Sequence, residues 1–287
     1  MDFGRLVTAM VTPFDANGQI DWDATGRLID YLIDEQQNDS IVLAGTTGES
    51  PTLSDEEKLE LFRFGVKRAA GRCKIIAGTG SNNTAHSIHL TQAAGETGVD
   101  ALLLVAPYYN RPNQEGLYQH FKAVAESTKL PVLLYNVPSR TGISLSPETT
   151  LRLAELDNVV GTKECASIDV VTQILNGAPE GFLVYSGDDG AALPVLAVGG
   201  HGIISVAGHI VGKEMKQMIN AYLNGDVQRA AKLYQQIHPI FKALFSPAPN
   251  PVGVKFALEV RGFPVGGVRL PLVWVNEEEA NILRQLF

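Results

Sequence analysis

One lysine stands in a stretch of sequence that should be buried. Lys163 follows Val159, Val160 and Gly161 in the run VVGTKEC, and a lysine is rarely buried unless it is paired or neutral. It either reaches solvent at the strand end or pairs with Glu164, or it is an amine whose pKa burial has lowered so that it can attack a carbonyl carbon. The last interpretation predicts Schiff-base chemistry.

A phenol and a guanidinium follow another apolar run, in the segment YNVPSR that begins at Tyr135. A buried tyrosine is usually core packing, and a loop arginine is usually a solvated charge. In a barrel both would lie beside Lys163, and this coincidence favours chemistry. Tyr135 would then relay protons, and Arg140 would hold a substrate carboxylate in bidentate geometry.

A loop of small hydrogen-bond donors, GTTGES, occupies residues 45–50. Its glycines allow the backbone to approach a ligand closely. By itself the segment is typical of an ordinary turn. Across a barrel mouth from Lys163, however, its hydroxyls and amides would bind the carboxylate of an α-keto acid.

Two consecutive tyrosines, Tyr108 and Tyr109, lie in the segment PYYNRP. A rigid ring with a polar tip is common at protein interfaces. The pair therefore predicts oligomerisation as readily as catalysis.

Signals for a metal or an organic cofactor are weak. The GTG motif after the third apolar run lacks the third glycine of a dinucleotide fingerprint. His86 and His89 share a predicted helix with no nearby carboxylate to complete a metal site. The two cysteines, Cys73 and Cys165, are too few for a disulfide framework or a four-ligand zinc site and fit a reducing cytosol. We expect no metal and no cofactor.

Composition narrows the class of protein. The chain has 287 residues, of which 45% are hydrophobic and 19% charged, and this excludes general disorder. Its 23 basic and 31 acidic residues give a net charge of −8, which disfavours nucleic acid and anionic membranes as partners. Neither a signal peptide nor an apolar run of membrane-spanning length is evident, so we expect a soluble, cytoplasmic protein that acts on small molecules.

Strands and helices alternate along the chain. Eight runs lack apolar/polar alternation, as parallel strands buried on both faces do: LVTAMVTP from Leu6, SIVLAG from Ser40, KIIAGTG from Lys74, ALLLVAP from Ala101, PVLLYNVP from Pro131, VVGTKEC from Val159, FLVYSGD from Phe182 and GIISVAG from Gly202. Helical periodicity follows each run, with Ser54 and Glu57 forming a capping box and Thr84, Gln114 and Pro147 opening further helices. The pattern predicts an α/β fold, a (β/α)8 TIM barrel, with a doubly wound open sheet as the alternative.

The chain continues beyond the eighth unit. Residues 1–224 are predicted to form the catalytic barrel, and residues 225–287 a C-terminal helical extension packed on it. The segment SPAPNP at residues 246–251 breaks the first extension helix, because proline lacks an amide donor and disfavours helix in the preceding residue. In such a barrel the chemistry lies at the carboxyl ends of the strands.

Taken together, the motifs resemble the dihydrodipicolinate synthase family of pyruvate-dependent class I aldolases. The resemblance spans nearly the whole chain and is carried by GTTGES, PYYNRP, QEGLYQHFKA, YNVPSRTG, GTKE, SGDD, GGHGIISV and the NP-x-x-VK pattern at residues 250–255. It implies condensation of pyruvate with L-aspartate 4-semialdehyde to 4-hydroxy-tetrahydrodipicolinate, in the diaminopimelate route to lysine. Alternatives are a related aldolase, such as N-acetylneuraminate lyase or a keto-deoxy sugar acid aldolase, and a non-catalytic keto-acid-binding protein on the same barrel.

The resemblance also implies roles for individual residues. Lys163 would form the imine with pyruvate, and Tyr135 would relay protons through Thr46 to Tyr109 of a neighbouring subunit. The substrates would be bound by Thr47 at the pyruvate carboxylate, by Arg140 at the semialdehyde carboxylate, and by Ile204, whose backbone carbonyl would lie near the lysine. The family uses no metal or organic cofactor, and most members are homotetramers built as dimers of dimers.

One region departs from the lysine-inhibited members of the family. At the positions of their allosteric site, Ser50, Asn82 and Tyr108 match, whereas Pro51, Asp55, Lys58 and His86 replace an alanine, two histidines and a glutamate. The missing glutamate removes a partner for the effector ammonium, and Lys58 adds a cation where another cation must bind. We predict weak or absent feedback inhibition by lysine.

Overall fold

A computed structural model describes residues 2–287 of the chain, so residue 1 of the predicted barrel segment lies outside it. Its eight strands form a closed parallel barrel in chain order, in which β8 pairs with β1. The strands are β1 (Leu6–Ala9), β2 (Ser40–Leu43), β3 (Lys74–Gly78), β4 (Ala101–Val105), β5 (Val132–Asn136), β6 (Val159–Glu164), β7 (Leu183–Ser186) and β8 (Gly202–Ser205). The predicted TIM barrel is confirmed, and the open-sheet alternative is wrong.

The strands are apolar throughout because both of their faces are buried. In β4, Leu102 and Leu104 belong to the core between strands and helices, whereas Ala101 and Leu103 point into the barrel. The barrel interior is itself a packed core that includes Val7, Val42, Ile76, Leu133, Leu183, Tyr185 and Ile204. Alternate residues on one strand therefore serve two cores, which explains the runs without polar alternation.

Helices cover the outside of the barrel. Those between strands, or directly after the last one, are α1 (Trp22–Asp34), α2 (Asp55–Ala69), α3 (Thr84–Gly95), α4 (Gln114–Glu126), α5 (Pro138–Thr141), α6 (Pro147–Leu153), α7 (Ile168–Gly177), α8 (Ala192–Ala197) and α9 (Gly212–Leu223). The predicted helix starts at Thr84, Gln114 and Pro147 are confirmed. The capping box at the start of α2 is present with both of its hydrogen bonds, between Ser54 and Glu57.

Three further helices follow the barrel units: α10 (Val227–Ala243), α11 (Val252–Val260) and α12 (Glu277–Arg284). The proline-rich segment at residues 246–251 separates α10 from α11, as predicted. Ile237, Phe241 and Leu258 of these helices join the same apolar core as the barrel strands. The division of the chain at residue 224, into a barrel domain and a C-terminal extension, stays a prediction.

The strand ends place the candidate residues of the sequence analysis on one side of the molecule, because all eight strands run in the same direction. Among residues 2–287, none of the helices has both the length and the apolar character needed to span a membrane.

Candidate active site

The barrel brings Lys163 and Tyr135 side by side. The two residues are direct partners in the register of β5 and β6, near the carboxyl ends of these strands. Both side chains are buried, each residue being 5% exposed, and Lys163 Nζ lies 4.4 Å from the centre of the Tyr135 ring. The sequence interpretation that put a phenol beside the lysine therefore agrees with the geometry.

Lys163 neither reaches solvent nor pairs with Glu164, the two non-catalytic explanations of a lysine at this position. At 5% exposure it does not reach solvent, and within residues 2–287 it forms no ion pair. Glu164 instead accepts hydrogen bonds from Asn136 Nδ2, at 3.0 and 3.1 Å from its two oxygens, and from the Ala166 amide at 2.7 Å. The pairing of Lys163 with Glu164 is wrong because consecutive strand residues point to opposite faces.

Glu164 is a buried carboxyl group behind the lysine. Burial raises the pKa of Glu164 to about 7, although the hydrogen bonds from Ala166 and Asn136 oppose that rise. Asn136 also accepts a hydrogen bond from the Leu145 amide at 2.9 Å, so the carboxyl group is linked to the loop that follows α5. Near neutral pH this group is poised between its charged and neutral forms.

Gly187 leaves room for the Lys163 side chain because it has no β-carbon. A β-carbon at residue 187 would lie 2.9 Å from Lys163 Cε and 2.2 Å from Cys165 Sγ, closer than side-chain atoms pack. This requirement was missed in the sequence analysis, where SGDD served only as a family motif. The signal was the glycine directly after the β7 strand, at a site of close approach.

The Tyr135 phenol stays protonated at neutral pH. Burial raises the pKa of Tyr135, while the charge of Lys163 and a hydrogen bond with the Thr46 side chain act in the opposite direction. A neutral phenol beside a hydroxyl group can accept a proton on its oxygen while passing on its own.

Thr46 and Thr47 differ in their surroundings although they are consecutive. Thr46 is partly exposed and lines the cavity above the barrel, whereas Thr47 is 2% exposed and is absent from the cavity wall. The Thr47 hydroxyl accepts a hydrogen bond from Asn250 Nδ2 at 3.0 Å. Asn250 was missed as an individual site residue, because 203 positions separate it from Thr47.

Two predicted substrate-binding residues lie at different depths. Arg140 is exposed in α5 and lines the cavity. Ile204 is fully buried in the barrel interior, where it pairs with Val7 of β1. Arg140 can therefore contact a substrate at the cavity entrance, whereas the Ile204 side chain contributes to the packed interior of the barrel.

A cavity of about 480 Å³ opens above the strand ends. Its lining includes Thr46, Tyr135 and Arg140 of the predicted active site. It also includes the predicted effector-site positions, which we call the rim residues: Ser50, Pro51, Asp55, Lys58, Asn82, His86 and Tyr108. The cavity therefore joins part of the predicted active site to the rim residues, whereas Lys163, Thr47 and Ile204 are not among the described residues that line it.

The charged rim residues pair with one another. Asp55 Oδ2 lies 2.8 Å from His86 Nε2, and Asp55 Oδ1 lies 3.6 Å from Lys58 Nζ. Burial would raise the pKa of Asp55, but the hydrogen bond and charge of His86, together with Lys58, outweigh burial and lower it. The only carboxylate among the rim residues is therefore already engaged.

Tyr109 projects away from its own chain. It is 89% exposed and has a left-handed backbone with φ of 75°, a conformation that a bulky residue rarely adopts. The neighbouring Tyr108 instead faces the cavity, and its carbonyl accepts a hydrogen bond from Asn82 Nδ2 at 3.2 Å. The two tyrosines thus point in different directions.

Other groups offer little reactivity. Within residues 2–287 no set of three or more His, Cys, Asp and Glu side chains is arranged to hold a metal ion. Burial raises the pKa of Cys73 to about 12 and that of Cys165 to about 11, so both thiols are largely protonated at neutral pH and are poor nucleophiles.

Comparison with known proteins agrees with this geometry. The dihydrodipicolinate synthetase family model matches residues 2–287. The chain is 57% identical to 4-hydroxy-tetrahydrodipicolinate synthase of Bacillus velezensis over 280 residues, 97% of this chain and 96% of that protein. It is 54% identical to the enzyme of that name from Symbiobacterium thermophilum over 285 residues, 99% and 97% of the two chains.

Solved structures show the same similarity. A crystal structure of dihydrodipicolinate synthase from Bacillus anthracis is similar with a TM-score of 0.97 and 52% identity, covering 100% of this chain and 97% of that one. The enzyme from Cyanidioschyzon merolae, solved with lysine bound, is similar with a TM-score of 0.96 and 42% identity, covering 99% and 96%. With a family model that spans residues 2–287 and relatives more than half identical, this chain belongs to the dihydrodipicolinate synthetase family.

Proposed function

We propose that this protein condenses pyruvate with L-aspartate 4-semialdehyde to give 4-hydroxy-tetrahydrodipicolinate, in the diaminopimelate route to lysine. The observation that carries the proposal is a buried lysine amine without an ion-pair partner in the described chain, 4.4 Å from the ring of a buried tyrosine. A relative that shares 57% of its residues is named for this reaction.

Lys163 supplies the nucleophile. Its neutral amine attacks the carbonyl carbon of pyruvate and expels water. The resulting iminium withdraws electrons from the adjacent methyl group, so that a proton leaves and an enamine forms. The enamine carbon then attacks the aldehyde carbon of the second substrate, and the amino group of that substrate displaces Lys163 to close the ring.

Tyr135 and Thr46 move the protons of these steps. The Tyr135 ring lies next to the lysine amine, and Tyr135 and Thr46 line the same cavity, so a proton can pass between the reacting atoms and the cavity. We propose that Tyr109 of a neighbouring subunit ends this relay, which is consistent with its 89% exposure in a single chain.

The substrates are held by their carboxylates. Asn250 donates to the Thr47 oxygen, and this leaves the Thr47 hydroxyl proton free to donate to the pyruvate carboxylate. Arg140 at the cavity entrance binds the semialdehyde carboxylate through charge-assisted hydrogen bonds. We propose that the Ile204 backbone carbonyl lies near the lysine amine, as the family resemblance implies. The imine on Lys163 takes the place of a cofactor, so we propose that the reaction requires neither metal nor organic cofactor.

Borohydride trapping tests the nucleophile. With pyruvate present, reduction should add one pyruvate-derived adduct to the wild type and none to Lys163→Ala, measured by intact mass spectrometry. Lys58→Ala is the matched control, because Lys58 lines the cavity that Tyr135 also lines and its loss should leave the adduct intact. A wild type that forms no adduct would refute the mechanism.

The choice of aldehyde separates this proposal from its rivals. Comparing kcat/KM for aspartate 4-semialdehyde, N-acetylmannosamine and sugar-derived aldehydes at fixed pyruvate identifies the acceptor. A higher kcat/KM for a sugar-derived acceptor would favour the related aldolases. Pyruvate binding without turnover of any aldehyde would instead favour a non-catalytic binding protein.

We also propose that the protein is a homotetramer, built as a dimer of dimers in which each site is completed by Tyr109 of the partner subunit. Mixing Lys163→Ala with Tyr109→Phe should restore roughly a quarter of the wild-type activity, since about half of the dimers would be mixed and each would hold one intact site. Sedimentation analysis measures the assembly. Two inactive variants that stay inactive after subunit exchange would contradict the shared site.

A further inference from the structure

The C-terminal extension contains a lysine that has no access to solvent. Lys255 lies in α11 and is 0% exposed; its Nζ is 2.7 Å from Glu49 Oε1 and donates a hydrogen bond to the Gly267 carbonyl at 2.6 Å. Burial lowers the pKa of Lys255 to about 8, and the charge of Glu49 limits that fall. An ion pair therefore joins the extension to the barrel in the interior of the protein.

A buried ion pair is weak support for stability. Replacing both partners by apolar groups is often neutral or stabilising, whereas removing one partner leaves the other charge buried and unpaired. The role of this ion pair therefore has to be found in the segment whose position it fixes. Glu49 belongs to the loop at residues 45–50, between β2 and α2, which carries Thr46 and Thr47.

Glu49 closes that loop in a conformation that needs support. Its φ of 58° lies in the left-handed region, which non-glycine residues rarely adopt. The Glu49 amide donates to the Thr46 carbonyl at 3.1 Å. Its second carboxylate oxygen accepts a hydrogen bond from the Arg269 amide at 2.9 Å, so both oxygens of the side chain are held by the extension.

The extension contacts the same loop at a second point. Asn250 donates to Thr47, two residues before Glu49, and Thr46 adjoins Thr47. Thr46 lines the cavity together with Tyr135, and its side chain acts to lower the pKa of the Tyr135 phenol. A shift of the loop would therefore separate Thr46 from Tyr135 while leaving Lys163 in its place on β6.

We propose that Lys255 and Glu49 are positioning residues, whose ion pair fixes the loop so that Thr46 meets Tyr135. The inference rests on the proposed function, because it concerns proton transfer after the imine has formed. Removing the pair should slow the exchange between imine and enamine, while Lys163 still forms the imine with pyruvate.

The decisive variant is the double substitution Glu49→Gln with Lys255→Met, which leaves no unpaired charge. Two readouts are made on the folded protein: borohydride trapping of the pyruvate imine, and the rate at which the methyl protons of pyruvate exchange with deuterium, followed by NMR. Trapping should stay within about two-fold of wild type. The exchange should be at least about ten-fold slower, since small misplacements of catalytic groups have effects of that size.

Lys216→Met is the matched control. Lys216 also forms an ion pair with a carboxylate, that of Asp39, but Asp39 directly precedes β2 at the opposite end of the barrel from the site. Both readouts should stay within about two-fold of wild type for this variant. A similar loss in the control would assign the effect to general destabilisation and overturn the proposal.

Glu49→Gln alone keeps the test valid if the double variant does not fold. Its amide oxygen can still accept the Arg269 hydrogen bond, and Lys255 can lose its proton because burial has already lowered its pKa to about 8. We expect slowed exchange here too. Wild-type exchange in either folded variant would overturn the positioning role, whereas a wild type without any pyruvate adduct would refute the proposed function instead.

Discussion

Two parts of the site are built in different ways: the buried pair Lys163 and Tyr135, which we call the floor, and the exposed residues around the cavity. Both floor residues are 5% exposed and occupy paired positions on neighbouring strands, although only Tyr135 lines the cavity. Arg140, which lines the cavity, and Tyr109 are exposed and lie on a short helix and a loop. The barrel register fixes the first pair, whereas the second pair depends on a short helix, a loop and, in the proposed dimer, a neighbouring subunit.

This difference separates the two tasks of the site. The proposed reaction at pyruvate needs a nucleophile and a proton relay, and the residues proposed for both lie on rigid strands or next to them, where precise geometry is easiest to maintain. Recognition of the second substrate, and of any effector, falls to residues that can change without altering the barrel. Substitutions at the floor should therefore affect the chemical steps, and substitutions at the rim should affect binding.

The largest effect is expected at the floor, from Tyr135→Phe. Without the phenol oxygen the relay to Thr46 is broken, and kcat should fall by roughly 10² to 10³-fold, as for loss of a general acid–base group. Steady-state kinetics measures the fall, and borohydride trapping should still give a pyruvate adduct. A variant with unchanged kcat would remove Tyr135 from the relay.

A second substitution tests the buried carboxyl group behind the floor. The pKa of Glu164 in the folded protein, about 7, exceeds the ordinary value of 4.5. Its contribution to stability is therefore complete below about pH 4.5 and is lost as the pH rises through 7. The difference corresponds to about 3 kcal/mol in the free energy of unfolding. Glu164→Gln should remove this part of the pH dependence, so that the variant gains stability relative to wild type from pH 5 to pH 8.

Urea unfolding between pH 5 and pH 8 measures this effect. Glu180→Gln serves as the control, because Glu180 is exposed and its substitution should leave the profile close to that of wild type. Parallel profiles for Glu164→Gln and wild type would show that the carboxyl group titrates in the folded protein as it does in the unfolded chain.

At the cavity entrance, Arg140→Ala should act on the second substrate alone. Losing charge-assisted hydrogen bonds of about 1.5–3 kcal/mol predicts that KM for aspartate 4-semialdehyde rises by roughly 10 to 100-fold. Formation of the pyruvate adduct should not change. Arg152→Ala is the control, since Arg152 pairs with Glu115 on the helical surface, and an equal rise in KM there would contradict a specific role for Arg140.

Sequence patterns predict the floor better than the rim. All eight predicted strands are confirmed, because a strand buried on both faces has a continuous apolar signature. The same runs placed Lys163 and Tyr135 at the ends of neighbouring strands, and their register follows from the closed barrel. The position of a strand, and of the residues at its end, can therefore be predicted from the local sequence.

Contacts between distant segments were not visible. Asn250 and Thr47 form a hydrogen bond across 203 positions, and Gly187 matters because the side chains of Lys163 and Cys165 pack against it. Glu164 was an expected partner of Lys163, yet it bonds to Asn136 on the other face of the strand. Periodicity indicates which face of a strand a residue occupies. Its hydrogen-bond partner on that face belongs to another segment and is determined by the tertiary fold.

The smallest effect is expected for L-lysine at the rim residues. The effector ammonium would need a free carboxylate, but Asp55 already pairs with His86 and Lys58, and Lys58 repels a second cation. Sub-millimolar lysine should therefore leave the steady-state rate above half of its uninhibited value. The Cyanidioschyzon merolae enzyme, which has been solved with lysine bound, is a suitable positive control for binding by calorimetry. Half-inhibition of this protein at sub-millimolar lysine would mean that the Asp55 pairs yield to the effector.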